Sequence, residues 1–222
     1  MRMQICHTVN LQIGSPIRFH WHIDPPGTFD EDQFLKLCRG AEEAGIDSVG
    51  VPGTLPETLQ LATAAAPQFH RVRFRIFCGV DPDSLYSPAW EKLASRLILH
   101  LTPRQAEMEK AARFIREYRA LAASFEPGEI DIEGNTAEAA FLAIKHGDVL
   151  WLRPDAPRQV YADALPVMHF GKQVGITGTG EQLAVSMHEL RKEGISQFLF
   201  EAPADGRFFE LVRSLGREVV GV

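Results

Sequence analysis

Residues 17–51 hold two β-rich runs, Ile17-Arg18-Phe19-His20-Trp21-His22-Ile23 and Asp47-Ser48-Val49-Gly50-Val51, with one helical pattern between them. In the first run polar and apolar side chains alternate, as on a strand with two unlike faces. The helix opens at about Asp30, which stands at capping-box distance from Gln33. Phe34, Leu37, Cys38, Ala41 and Ala44 recur at helical spacing, and Gly45 supplies the stop. Strand, helix and strand in this order make a βαβ unit, with parallel strands and a right-handed crossover.

The same alternation continues downstream. After Pro52-Gly53 a helix opens near Pro56 and stops before Pro67. The third strand, Val72 to Gly79, alternates apolar residues with Arg73 and Arg75. A short helix after Pro88 leads to strand Leu97 to Leu101, and a long helix after Pro103 carries Met108, Ala111, Ile115, Tyr118 and Ala122 on one stripe. Strand Glu129 to Glu133 passes through Gly134-Asn135-Thr136 into a helix ending at His146. Strand Asp148 to Leu152, a short helix after Pro157 and a strand within Val167 to Ile176 follow. Thr177-Gly178-Thr179-Gly180 opens a helix to about Glu193, Ser196 to Phe200 is the last strand, and a helix from about Asp205 to Leu215 closes the chain. Eight strands, each followed by a helix, predict a compact (β/α)8 TIM barrel as a single domain over residues 1–222. The alternative is a doubly wound open sheet. Its dinucleotide form lacks local support, because the first strand–helix turn reads Pro25-Pro26-Gly27 and not G-x-G-x-x-G.

Composition narrows the function. The chain has 23 basic and 29 acidic side chains, a net charge of −6, so no basic footprint for nucleic acid is expected. No apolar run reaches the roughly 20 residues that span a bilayer, and the N-terminus lacks a signal-like apolar region. A soluble, cytoplasmic protein is the expectation. Cys6, Cys38 and Cys78 form neither a disulfide framework nor a zinc spacing, and Cys78 reads as a small buried hydrophobe.

In such a barrel the working site lies at the C-terminal ends of the strands. That rule nominates His20 and His22, Gly53 and Thr54, Gly79 to Asp81, and His100 with Thr102. It also nominates Glu133 to Thr136, Trp151 with Arg153, Gly175 to Thr179, and Glu201 with Asp205. Gly134-Asn135-Thr136 and Gly178-Thr179-Gly180 each put small residues before a helix, where free N–H groups and the helix dipole suit a phosphate. The simpler reading of both turns is an N-cap by Thr136 or Thr179. His20 and His22 share a strand face and, with Glu133 or Glu201, could form the metal site of a hydrolase. The plainer alternative is that they line the mouth as hydrogen-bonding groups. Trp151 could flank an aromatic ligand or simply plug the rim.

Several stretches resemble the bacterial luciferase-like, flavin-dependent monooxygenases, in particular the alkanesulfonate monooxygenase branch. They are Arg18 to His22, Ala41 to Pro52 (the strongest match), Arg71 to Phe74, Tyr86-Ser87-Pro88, Thr177 to Ala184, and Glu193 to Leu199. The resemblance implies a TIM barrel, usually a homodimer, that binds reduced FMN from a separate flavin reductase and oxygenates a small organic substrate with O2. It implies a flavin ring near His20, His22, Gly53, Thr54, Gly79, His100, Thr102 and Trp151, and a phosphate near Gly134-Asn135-Thr136. His22, His100 and His169 are the candidate catalytic residues. The chain lacks the family's insertion after the seventh strand. The family's Arg and His on that strand fall on Gln173 and Gly175, and no Cys stands near Pro56 or Glu57. These departures point to a second expectation, a non-catalytic flavin-binding or accessory relative.

Overall fold

The computed structural model describes residues 16–24, 29–51, 53–80, 89–122, 128–154, 156, 164, 167–168 and 170–220. Eight parallel strands close into one barrel in sequence order: β1 Arg18–Ile23, β2 Ser48–Gly50, β3 Arg73–Cys78, β4 Leu97–Leu101, β5 Glu129–Glu133, β6 Val149–Leu152, β7 Gln173–Thr179 and β8 Gln197–Ala202. Among the described residues seven α-helices surround it: α1 Glu31–Glu43, α2 Leu55–Ala65, α3 Ala89–Leu93, α4 Met108–Leu121, α5 Ala137–His146, α6 Gly180–Lys192 and α7 Gly206–Val220. The eight-unit TIM barrel predicted from the alternation is therefore the fold. No described helix is long and apolar enough to cross a membrane.

Local chemistry explains the element boundaries. Asp30 caps α1 by accepting from Gln33 N at 2.8 Å, while the Gln33 side chain accepts from Asp30 N. Gly45 ends that unit at φ +78°, a conformation that suits glycine. Phe34, Cys38 and Ala41 of the predicted stripe are buried against the barrel. The seventh strand differs from the reading of its sequence. It begins at Gln173 and runs through Thr177 to Thr179, so the helix starts at Gly180. Gly178 pairs with Phe200 of β8 inside the strand, and a Cβ there would lie 2.8 Å from Pro154 Cγ. The expected helix after Pro157 falls largely outside the described residues.

Alternation divides each strand between two cores. The outward side chains form the main core under the helices, for example Trp21 stacked on Phe208 with 5.1 Å between ring centroids. The inward ones fill the barrel. Strand register and the barrel's shear stack these in layers contributed by alternate strands. His20, Arg75, Asp131 and Gly175 form one layer. Gly50, His100, Trp151 and Leu199 form the next, and His22, Phe77, Glu133 and Thr177 the uppermost full layer, with Arg153 and Glu201 on the rim. Two glycines make room for the large rings. A Cβ on Gly175 would lie 2.5 Å from the Trp151 ring, and one on Gly50 would lie 2.9 Å from Phe77. A small apolar cluster of Val149, Trp151, Leu199 and Phe77 results inside the barrel.

Candidate active site at the barrel mouth

The site rises from a charged middle layer. Arg75 and Asp131 are fully buried and paired through Arg75 Nη1 and Asp131 Oδ2. Asp131 Oδ2 also accepts from Trp151 Nε1 at 2.6 Å, and the Arg75 guanidinium lies 4.8 Å over the Trp151 ring. Burial alone would raise the Asp131 pKa. The Arg75 charge and the nearby His100 override it and hold the carboxyl well below the usual carboxylate range.

One layer up, His100 lies between Arg75 and Glu133. Arg75 Nη1 stands 2.8 Å from His100 Nδ1, which also lies 3.9 Å from Asp131 Oδ2. On the other side of the ring His100 Nε2 stands 2.8 Å from Glu133 Oε2. Glu133 Oε1 accepts from Arg153 Nε at 2.9 Å, and Arg153 Nη2 reaches Glu201 Oε1 at 3.8 Å. Burial would raise the Glu133 pKa, but the His100 and Arg153 bonds outweigh it and lower it. Glu201 is shifted upward, first by burial and then by the neighbouring Glu133 and Asp24 carboxylates. Two carboxylates with oppositely shifted pKa values thus face the mouth, an arrangement typical of acid–base sites.

Beside them lies an aromatic shelf at the ends of β1, β3 and β4. The His22 and Phe77 rings stack with centroids 4.1 Å apart, and Phe77 meets His100 at 4.6 Å. Burial depresses His22 to about 4, so its imidazole is neutral near pH 7. Gly79, at the edge of the shelf, is exposed and has no atom within 4 Å of where a Cβ would stand.

The structure brings together His22, His100, Glu133 and Arg153 of the residues nominated from sequence. His20 lies lower and fully buried, with Nδ1 2.8 Å from Ser48 Oγ and Nε2 2.6 Å from Gln197 Oε1. Both ring nitrogens are engaged, which removes His20 as a metal ligand in this arrangement and sets aside the His20–His22 hydrolase reading. Among the described residues no group of three or more His, Cys, Asp or Glu is placed to hold a metal ion. Trp151 is wholly buried inside the barrel, as a plug rather than an open face. Gly53 (φ +112°) and Thr54 begin α2, where Thr54 N donates to Glu57 at 2.9 Å. Thr102 is exposed on the rim. Thr136 caps α5 by accepting from Ala139 N, Thr179 caps α6 with Gln182, and Asn135 Oδ1 accepts from Arg153 N. His169 lies outside the described residues.

Gln173 and Gly175, the positions matched to the family's Arg and His, lie in the lower barrel. Gln173 accepts from Gln197 Nε2, and Gly175 is covered by Trp151. At mouth level β7 presents Thr177. The sequence reading missed Asp131 and Phe77 and gave Arg75 no role. Their signal is charge at alternate positions, Arg73 and Arg75 on β3 and Glu129, Asp131 and Glu133 on β5, in strands that parallel sheets usually fill with apolar residues.

Compared with protein-family models and with curated proteins, the chain matches none. Solved structures share its fold. The EDTA monooxygenase of Chelativorans sp. BNC1 aligns with a TM-score of 0.70 at 10% identity, covering 92% of this chain and 94% of that one. A putative aldo-keto reductase from Pseudomonas aeruginosa gives 0.68 at 12% identity, covering 93% and 92%. The coenzyme F420-dependent tetrahydromethanopterin reductase of Methanopyrus kandleri gives 0.64 at 9% identity, covering 93% and 99%. Identities this low establish the barrel and nothing finer.

A flavin-type ring can be tested against the residues present. The His22–Phe77 stack, with both rings half-buried, is aromatic surface of the kind on which a planar ring packs. The two turns expected to hold a phosphate are capped by their own threonines, and each helix begins with an acidic residue, Glu138 or Glu181, in its first turn. The mouth thus fits the heterocycle better than it fits the phosphate.

Proposed function

We propose that this chain is a compact luciferase-like barrel whose mouth takes a flavin-type ring, and that it oxygenates a small organic substrate with O2 using reduced FMN from a separate reductase. One observation carries the reading: the stacked His22–Phe77 pair, backed by His100, at the strand ends where the luciferase resemblance seats the isoalloxazine. A bound flavin would supply the redox chemistry. The chain's own residues do the rest. Phe77 and His22 offer a flat apolar face. His100 fixes the Glu133 carboxylate in one orientation, and Glu201, with its raised pKa, can hold a proton closer to neutral pH. A cytoplasmic homodimer belongs to the same proposal.

A second reading, a flavin-binding relative without turnover, draws on the seventh strand. With Gln173 and Gly175 below the mouth and Thr177 at its level, β7 offers no cationic or imidazole group to the site. Absorption spectra after adding FMN and desalting, followed by anaerobic titration with reduced FMN, test both. Saturable binding that weakens on the order of tenfold in Phe77→Ala is expected. Uptake of neither oxidised nor reduced FMN overturns both readings. Binding without substrate oxygenation above that of free reduced flavin selects the second.

A further inference from the structure

The centre of the barrel holds a charge pair that the surrounding side chains do not complete. Arg75 and Asp131 have no exposed surface, and their hydrogen bonds run through one nitrogen and one oxygen. Arg75 Nη1 meets both Asp131 Oδ2 and His100 Nδ1. Asp131 Oδ2 accepts from that guanidinium and from the Trp151 indole at 2.6 Å. Arg75 Nε, Arg75 Nη2 and Asp131 Oδ1 stay buried with no hydrogen-bond partner among the described residues.

The shape of the guanidinium says what kind of group completes it. Nε and Nη2 share one edge of the planar group, so their N–H bonds leave it side by side and call for an acceptor. The neighbours do not offer one. In the same layer Gly175 has no side chain, and both ring nitrogens of His20 are held by Ser48 and Gln197. In the layer below, Ile98 and Val149 present only carbon, and the Trp151 ring covers the guanidinium face at 4.8 Å. Asp131 Oδ1, for its part, calls for a donor.

An anion would match the Arg75 edge. Its charge, however, would stand beside the buried Asp131 carboxylate, which already answers the guanidinium. The occupant must therefore be neutral, accept from Arg75 and donate to Asp131, and be small enough for a filled barrel. Water meets all of these conditions, and buried water usually makes about three such bonds to groups otherwise unsatisfied. We infer that the barrel centre is an internal hydration site, with ordered water on the Nε–Nη2 edge of Arg75 and against Asp131 Oδ1. That water lowers the cost of keeping two ions away from solvent. The site lies beneath the Trp151 ring, apart from the mouth, so it stands whether or not the mouth binds flavin.

The test reads NMR cross-peaks between solvent water and side-chain N–H groups of the full, isotope-labelled chain. In the rotating frame, through-space contact and proton exchange give peaks of opposite sign. A through-space peak is expected at the Arg75 Nε–H. None is expected at the Trp21 Nε1–H, which is equally buried but donates to Ala202 O at 3.0 Å under the helices. A crystal structure should show water within hydrogen-bond reach of the Arg75 edge and of Asp131 Oδ1. The inference is overturned by an Arg75 Nε–H without a water contact, or by water contacts as strong at Trp21. It is equally overturned by a dry centre in which Arg75 Nη2 turns to pair with Asp131 Oδ1, or by an anion on the Arg75 edge.

Discussion

Arg75 and Asp131 meet in the middle of the barrel with no exposed surface on either side chain. Taking two such ions out of water costs several kcal/mol each, and their attraction offsets that only while both remain. Asp131→Asn leaves the guanidinium buried beside a neutral amide. It should destabilise the fold by about 3–5 kcal/mol in urea titrations, whereas Arg75→Met combined with Asp131→Leu should recover most of that loss. If the single and double variants are equally unstable, the layer depends on something other than charge pairing. Gly175 makes the steric counterpart. An alanine there must displace the Trp151 indole lying 2.5 Å from the new carbon. Gly175→Ala should cost about 1–3 kcal/mol and shift the buried tryptophan emission, and an unchanged spectrum would mean the ring is not packed as described.

At the level of elements, the turns before α5 and α6 bear on how the mouth meets a ligand. Each is closed by its own threonine, so the donors a phosphate would use are partly taken. Thr136→Ala and Thr179→Ala should each lower stability by about 1 kcal/mol, and millimolar inorganic phosphate should leave the melting temperature of the unaltered protein unchanged. Phosphate that protects the protein but neither variant would restore the anion-site reading. These elements also show what the sequence could and could not reveal. The capping box of α1, the stripe of α4 and the eight-fold alternation rest on local spacing, which survives without knowledge of tertiary contacts. The end of β7 does not. Thr177-Gly178-Thr179 carries turn residues, and it becomes strand through pairing with Leu199, Phe200 and Glu201 of β8, which its own spacing does not announce. The interior layers were hidden for the same reason. Asp131 is an ordinary strand residue until register brings Arg75 of β3 across from it, and Phe77 joins the mouth only because Gly50 of β2 leaves it space.

For the whole molecule, the buried ionisable groups set how stability responds to pH. His20 and His22 are both kept neutral, chiefly by burial, with His22 depressed from 6.5 to about 4. Below pH 6.5 the unfolded chain binds protons on these rings and the folded chain does not, so the two histidines draw stability down as pH falls from about 6.5 towards 4. Asp131 and Glu133 act in the same direction at lower pH, since their folded pKa values lie below those of the open chain. Glu129 and Glu201 act the other way. Burial raises them, and protonation relieves a cost of keeping them charged. The balance is separable through His22, which stands on the half-open shelf and not in the buried Ser48–Gln197 network. His22→Gln keeps a polar side chain there but cannot take up the proton. Its denaturation midpoint should run parallel to that of the unaltered protein above pH 7. Below 6.5 the unaltered protein should lose stability relative to the variant, the gap widening to about pH 4 and then holding constant. Parallel curves across the whole range would mean that the His22 imidazole titrates alike in the folded and unfolded chain. Its contact with Phe77 would then not be the desolvated stack on which a planar ligand is proposed to rest.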